Sequence, residues 1–370
     1  MRRPIPSAGA LDVQLSADVL PVVAPAQLRV VALGGGTGLP IVLEGLKHAL
    51  FMDTGTSNTA PERERLTAIV TVADDGGSSG RLREAYGVLP PGDIRNCLLA
   101  LSDGDSILSA LFNYRFDGGG EMSGHSLGNL ILTALSRLES DFSKAIERGS
   151  QILDVRGRVF PSTTEDVRLR AEFADGTWVE GESQIALVPR TTIRRVSLEP
   201  DQPDPCAQAL EAALRADLVV LGPGSLYTSL IPVLLVREIA DAIRRSGARV
   251  VLVMNLTTEP GETDGYTAAD HLLAIRRHAP DVPIHDVLLN TTPIPDELLR
   301  AYAVAHATPV APDIELLRAL GHRPVTRDLL GGGPKIRHDA RKLGTALAQL
   351  GRRARPRAVT AWEPPTFTAP

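Results

Sequence analysis

Cysteine is nearly absent from this chain of 370 residues: there are only Cys97 and Cys206. They lie far apart and neither has a CxxC companion, which excludes a disulfide framework and a cysteine-based zinc site and leaves two buried, inert thiols. Basic excess is missing as well. A net charge of -5 gives no global reason to expect a nucleic-acid partner. No window approaches the roughly 18 consecutive apolar residues of a membrane helix, so no membrane insertion is expected. The start MRRP is followed by Asp12, Gln14 and Asp18, which interrupt any apolar core of a secretory signal. These absences describe a soluble cytoplasmic protein.

What is present is a hydrophobic fraction of 43%, enough for a sizeable core. The run LRVVALG (28–34) ends in glycines, and Leu39, Ile41, Val42, Leu43, Leu46 and Leu50 then recur at helical spacing. LTAIVTVA, DLVVLGPG, ARVVLVMN and HDVLLN repeat the theme, with helical stretches such as SLGNLILTALSRL, SLIPVLLVREIADAIRR and AADHLLAIRRH between most of them. Continuous apolar strands alternating with helices predict an α/β fold, doubly wound around a mainly parallel sheet. One segment, 151–198, reads instead as a small antiparallel β insertion, with VRLRAEF and TWVEG joined at Ala174, Asp175 and Gly176. The expected organisation is an N-terminal extension (1–27), one domain (28–350) carrying that insertion, and an Arg/Pro-rich tail (351–370).

In such a sheet, ligands sit beyond the carboxyl ends of the strands, and the loops there are rich in chemistry. GGGTGLP (34–40) can bring backbone N–H groups to an anion at a helix N-terminus, or serve only as a tight turn. It completes neither the dinucleotide fingerprint nor the P-loop. In TVADDGGSSGR (71–81), Asp74 and Asp75 can cap a turn, hold Mg²⁺ or accept from sugar hydroxyls, and the following glycines, serines and arginines suit phosphate. A flexible surface loop has the same composition. Asp93 in PPGDIRN is as good an N-cap as a ligand contact. His125 in SGHSLGN has no nucleophile at a supporting spacing and is read as a hydrogen-bonding residue rather than a general base. In GPGSLYTSL (222–230), Ser225, Tyr227, Thr228 and Ser229 can meet an anion at the next helix start.

GGGTGL, ADDGGSSGRLR, PPGDIRN, GHSLGN, LDVRGRVFPST, GPGSLYTSLIPVLLV, MNLTTEPGETDGYTAADH and IRHD occur in that order. Together they resemble the gluconeogenesis factor family, proteins similar to 2-phospho-L-lactate transferase, over Arg29 to Leu347. The resemblance implies a Rossmann-like fold that binds a UDP-sugar, typified by UDP-N-acetylglucosamine, in the bacterial cytoplasm. It implies a role in cell shape and wall synthesis during gluconeogenic growth, with wall-synthesis or regulatory proteins as partners and no required cofactor. Motif by motif, it implies ligand contacts from Gly35, Gly36, Thr37, Gly38, Asp74, Asn96, Asn129, Gly222, Gly224, Ser225, Asn255, Tyr266 and Arg337. Tyr266 can equally pack in the core, and Arg337 can equally be a solvated surface residue.

The alternative, by likeness to the transferases, is an Mg²⁺-dependent transfer of a phospholactyl group from a guanosine diphosphate intermediate to a deazaflavin, with Asp74 and Asp75 on the metal. The wording of GGGTGL and GPGSLYTSLIP matches the binding branch better. An aromatic content of 4% offers little for a deazaflavin pocket.

Overall fold

The computed structural model describes residues 28–52, 58–139, 141–188 and 192–353. The extension 1–27 lies outside the described residues, and so does the tail from 354 onward. Residues 351–353 close the last helix, Ala340–Gly351, where Gly351 is buried.

Among the described residues ten strands form two sheets. They are β1 (Val30–Gly34), β2 (Leu66–Val70), β3 (Arg158–Pro161), β4 (Arg168–Phe173), β5 (Trp178–Glu180), β6 (Ile193–Glu199), β7 (Leu218–Leu221), β8 (Arg249–Val253), β9 (Ile284–Asn290) and β10 (Arg323–Arg327). The large sheet has the order β10-β9-β8-β7-β1-β2-β3 and is parallel throughout. Every residue of β1, β2, β7 and β8 is buried, which explains why these strands read as unbroken apolar runs. The strand order reverses between β1 and β7, so the loops leaving those two strands diverge and open a crevice at the switch point. The expected α/β, doubly wound architecture is what the chain adopts.

The small sheet, β5-β4-β6, is antiparallel. The hairpin joining β4 and β5 turns at Asp175 and Gly176, where Asp175 Oδ1 accepts from the Thr177 N–H at 2.9 Å and Gly176 has φ +86°. The insertion is narrower than 151–198: residues up to Ile152 belong to a helix (Phe142–Ile152), and β3 pairs with β2 as an edge strand of the main sheet.

Three local differences matter for the site. The second half of TVADDGGSSGR, expected as a loop, opens the helix Gly77–Tyr86, which is stopped by Gly87 in the left-handed conformation. The single helix expected over SLIPVLLVREIADAIRR is a π turn (Leu226–Leu230), a short helix (Ile231–Leu235) and a third helix (Arg237–Ser246), broken at the extended Val236. The helix after β1, Leu39–Lys47, crosses the last helix at Gly45 and Gly344; a Cβ on Gly45 would lie 1.9 Å from the Ala340 carbonyl oxygen, so the backbones touch. Among the described residues no helix is long and apolar enough to cross a membrane.

Candidate functional site

The loops after β1 and β7 meet over the switch point. Gly38 ends the first loop and begins the helix Leu39–Lys47, which has no side-chain N-cap; Pro40 brings no N–H and that of Ile41 turns to the Gly38 carbonyl at 3.2 Å, so the donors at this helix start are the N–H groups of Gly38 and Leu39. A Cβ on Gly38 would fall 2.0 Å from the Pro223 carbonyl oxygen and 2.8 Å from the Gly224 nitrogen. Glycine stands there because two backbones are in contact. The second loop is fixed from β8: Asn255 Oδ1 accepts from the Gly224 N–H and Asn255 Nδ2 donates to the Gly224 carbonyl, both at 2.9 Å.

Between these loops and the segment that follows β8 lies a cleft of about 480 Å³. Thr37, Gly38, Gly224, Ser225, Asn255 and Arg337 all line it. Six of the residues assigned by resemblance are therefore brought together. Arg337 is exposed at its edge. His338, beside it, is buried and carries an Nε2 atom without a hydrogen-bond partner; burial lowers its pKa to about 4, so the ring is neutral at pH 7. Sequence reasoning passed over His338, although the IRHD motif that supplied Arg337 contains it.

The other assigned residues sit around this cleft in different roles. Gly35 and Gly36 are buried against Asp93: a Cβ on Gly36 would lie 2.2 Å from Asp93 Oδ1 and 2.7 Å from its Cα. A valine at Gly36 would thus collide with the protein itself before it met any ligand. Asp93 is not the N-cap of its helix, Gly92–Leu101, whose N-cap is Pro91; its carboxylate turns to the Gly36 backbone instead. Asn96 donates to the Gly36 carbonyl at 2.8 Å and accepts from Arg95 at 2.6 Å, so it pins the loop, and with Gly36 it lines a separate cavity of about 390 Å³.

Asn129, a ligand contact by resemblance, is buried. Its Nδ2 donates to Ser78 Oγ at 3.1 Å, and His125 Nδ1 lies 3.0 Å from the same oxygen. This trio ties the helix Gly77–Tyr86 to the helix Leu127–Leu138, and it brings within reach of His125 a hydroxyl that lies 47 residues away in sequence.

The π turn after the second loop does not hold its N-terminus open. Glu262, buried, accepts from the N–H groups of Tyr227 (3.3 Å) and Thr228 (3.1 Å), occupying the place expected for an external anion. Burial first, then Glu259, raises its pKa, and burial also raises that of Glu259, which accepts from Ser225 Oγ at 2.9 Å. Tyr227 is fully buried and its hydroxyl meets that of Tyr266 at 2.9 Å. Tyr266 lines a neighbouring cavity of about 540 Å³ with Thr192, Asp264 and His306; Pro260 lines both this cavity and the cleft.

The tandem carboxylates part company. Asp74 Oδ1 accepts from the Gly76 N–H at 2.8 Å, whereas Asp75 Oδ1 accepts from the Ser183 N–H at 2.8 Å and so docks the β insertion. Asp75 is engaged there through one oxygen, and among the described residues no three His, Cys, Asp or Glu side chains are grouped to hold a metal ion. Electrostatically this flank is acidic. Burial, then Asp74, raises Asp93 to about 7. Burial, then Asp74, Asp75, Asp93 and Glu259, raises Glu182 to about 7. At neutral pH both are partly protonated, and a phosphate brought near them draws further protons.

Comparison with known proteins agrees with this architecture. Residues 30–330 match the family model for 2-phospho-L-lactate transferase CofD. The gluconeogenesis factor of Bacillus subtilis is 44% identical over 323 residues, covering 87% of this chain and 98% of that protein. The gluconeogenesis factor of Halalkalibacterium halodurans is 45% identical over 322 residues, covering 87% and 96%. The crystal structure of a UPF0052 family protein from Bacillus halodurans superposes with a TM-score of 0.79 at 44% identity, covering 86% of this chain and 99% of that one.

Proposed function

The chain belongs to the 2-phospho-L-lactate transferase CofD family, and from that premise we propose that it acts as a UDP-sugar binding protein of the gluconeogenesis factor type. Its ligand is UDP-N-acetylglucosamine, and its role is to report precursor supply to wall synthesis and cell-shape control in the cytoplasm. The observation that carries this reading is the switch-point cleft, where an uncapped helix N-terminus at Gly38, the backbone of Gly224 and the guanidinium of Arg337 line one space. N–H groups at a helix start and an arginine are the partners a diphosphate requires.

In this reading the diphosphate lies against Thr37, Gly38, Gly224 and Ser225, with Arg337 supplying countercharge. His338 Nε2 accepts from a ribose hydroxyl or base N–H, and Tyr266 meets the sugar from the adjoining cavity. Asn96 and Asn255 act on the loops, and Asn129 on the pairing of two helices, rather than on the ligand. Asp93 and Glu182, partly protonated at neutral pH, repel the phosphates less than two carboxylates would. A transferase reading is favoured by the description of the matched family; in it Asp74 and Asp75, each with one oxygen on a backbone N–H, would hold Mg²⁺ together with the phosphates of the ligand.

A thermal-shift series tests the assignment, because a ligand that binds only the native state raises its apparent stability. UDP-N-acetylglucosamine is expected to raise the melting temperature more than guanosine diphosphate does. Equal or reversed shifts would remove the binding assignment.

A further inference from the structure

At the opposite edge of the sheet, where β8, β9 and β10 begin, a groove of about 620 Å³ is lined by Arg249, His285, Asp286, Arg318, His322 and Arg323. At about 3.3 Å per residue, a five-residue strand sets it roughly 16 Å from the cleft. Asp286 is almost fully buried and binds two arginines: Oδ2 takes Arg249 at 2.9 Å and Oδ1 takes Arg323 Nε at 2.6 Å. One carboxylate thus fixes two guanidiniums at the groove wall. Arg318 adds a third guanidinium, paired at 2.6 Å with the 85% exposed Glu315, a surface pair that a ligand can share at little cost.

The two imidazoles have opposite tautomers. His285 is the extra residue of a β-bulge, since Val250 pairs with Ile284 while Val251 pairs with Asp286. Its Nδ1 accepts from the Val250 N–H at 3.0 Å, so the neutral ring carries its proton on Nε2. His322 Nδ1 faces the Ile284 carbonyl at 2.7 Å and must donate to it, so Nε2 of the neutral ring is a lone pair. That atom is buried without a hydrogen-bond partner in a residue only 4% exposed.

A ligand that satisfies this groove needs oxyanion acceptors for the arginines and the His285 Nε2–H, and one proton to donate to His322 Nε2. We propose that the groove is a second ligand site, separate from the switch-point cleft, for a phosphate group that retains one proton, either inorganic phosphate or the monoester of a small phosphorylated metabolite. Sulfate has the same shape and charge-bearing oxygens but no proton at neutral pH, so it lacks the donor.

The test is a calorimetric titration of the full chain at pH 7 with inorganic phosphate, glycerol 3-phosphate and sulfate in turn, repeated on Arg318→Gln and His322→Asn. Inorganic phosphate or the monoester, whichever is the ligand, is expected to bind, and sulfate at least tenfold more weakly. Arg318→Gln, at an exposed position, is expected to weaken phosphate binding roughly tenfold, the typical loss for one charge-assisted hydrogen bond. His322→Asn is expected to narrow the gap between phosphate and sulfate. Equal binding of phosphate and sulfate, or no binding of either phosphate form, would overturn the proposal. So would phosphate affinity unchanged in Arg318→Gln, the variant that decides if His322→Asn fails to fold.

Discussion

Gly38→Ala is expected to force apart the two loops that form the cleft. The new Cβ would stand 2.0 Å from the Pro223 carbonyl oxygen, 2.5 Å from its carbonyl carbon and 2.8 Å from the Gly224 nitrogen. Comfortable separations begin at about 3.5 Å, so the overlap exceeds an ångström. Overpacking costs about 1–3 kcal/mol where side chains can yield. Here both partners are backbone and no rotamer relieves the clash, so a cost of about 3 kcal/mol is expected. At roughly 1.5 °C per kcal/mol for a domain of this size, the melting temperature falls by about 4–5 °C. Because Gly38 and Gly224 both line the cleft, affinity for UDP-N-acetylglucosamine should fall at least tenfold in the same variant. Gly120→Ala is the control, since a Cβ there meets nothing within 4 Å. Thermal unfolding with calorimetry on both variants checks the argument. A Gly38→Ala protein as stable as Gly120→Ala, with unchanged affinity, would refute the contact between the loops.

Asn255→Ala removes both hydrogen bonds that hold Gly224, each worth about 0.5–1.5 kcal/mol, so denaturant unfolding should show a loss of about 1–3 kcal/mol together with weaker UDP-sugar binding. Unchanged binding would show that the second loop holds its place without the amide. Affinity for UDP-N-acetylglucosamine should also depend on pH. Asp93 and Glu182 titrate near 7 in the free protein, and a bound diphosphate raises both further, so binding takes up protons. Affinity is therefore greatest below pH 7 and declines as pH rises through the bound-state values, by up to about tenfold per unit for each proton taken up. A flat profile from pH 6 to 8 would place the diphosphate away from these carboxylates.

The central strands were legible because burial on both faces leaves an unbroken apolar signature, as in Val30–Gly34 and Arg249–Val253. The edge strands were not. Arg158–Pro161 and Arg323–Arg327 alternate or expose half their residues and each contains a proline, so neither produces that signature. Site loops were legible from glycine spacing, but the reason for each glycine was not. Gly36 faces Asp93 and Gly38 faces Pro223, contacts that join residues far apart in sequence. The helix start at Leu226 looked free for an anion because the carboxylate that fills it, Glu262, lies over thirty residues downstream. Likewise the adjacent Asp74 and Asp75 suggested a shared metal, and only the fold reveals that Asp75 is turned to Ser183.

The most direct measurement is a calorimetric titration of the full chain with UDP-N-acetylglucosamine at pH 7, in Mg²⁺ and again in chelator, on the parent protein and on Asp74→Asn. Asp74 accepts from the Gly76 N–H through one oxygen, which the amide of asparagine can replace. The account predicts saturable one-to-one binding that chelator leaves almost unchanged, with only a modest loss in Asp74→Asn. Binding that requires Mg²⁺ in the parent protein, or no binding at all, would contradict it, and a metal requirement would restore the transferase reading.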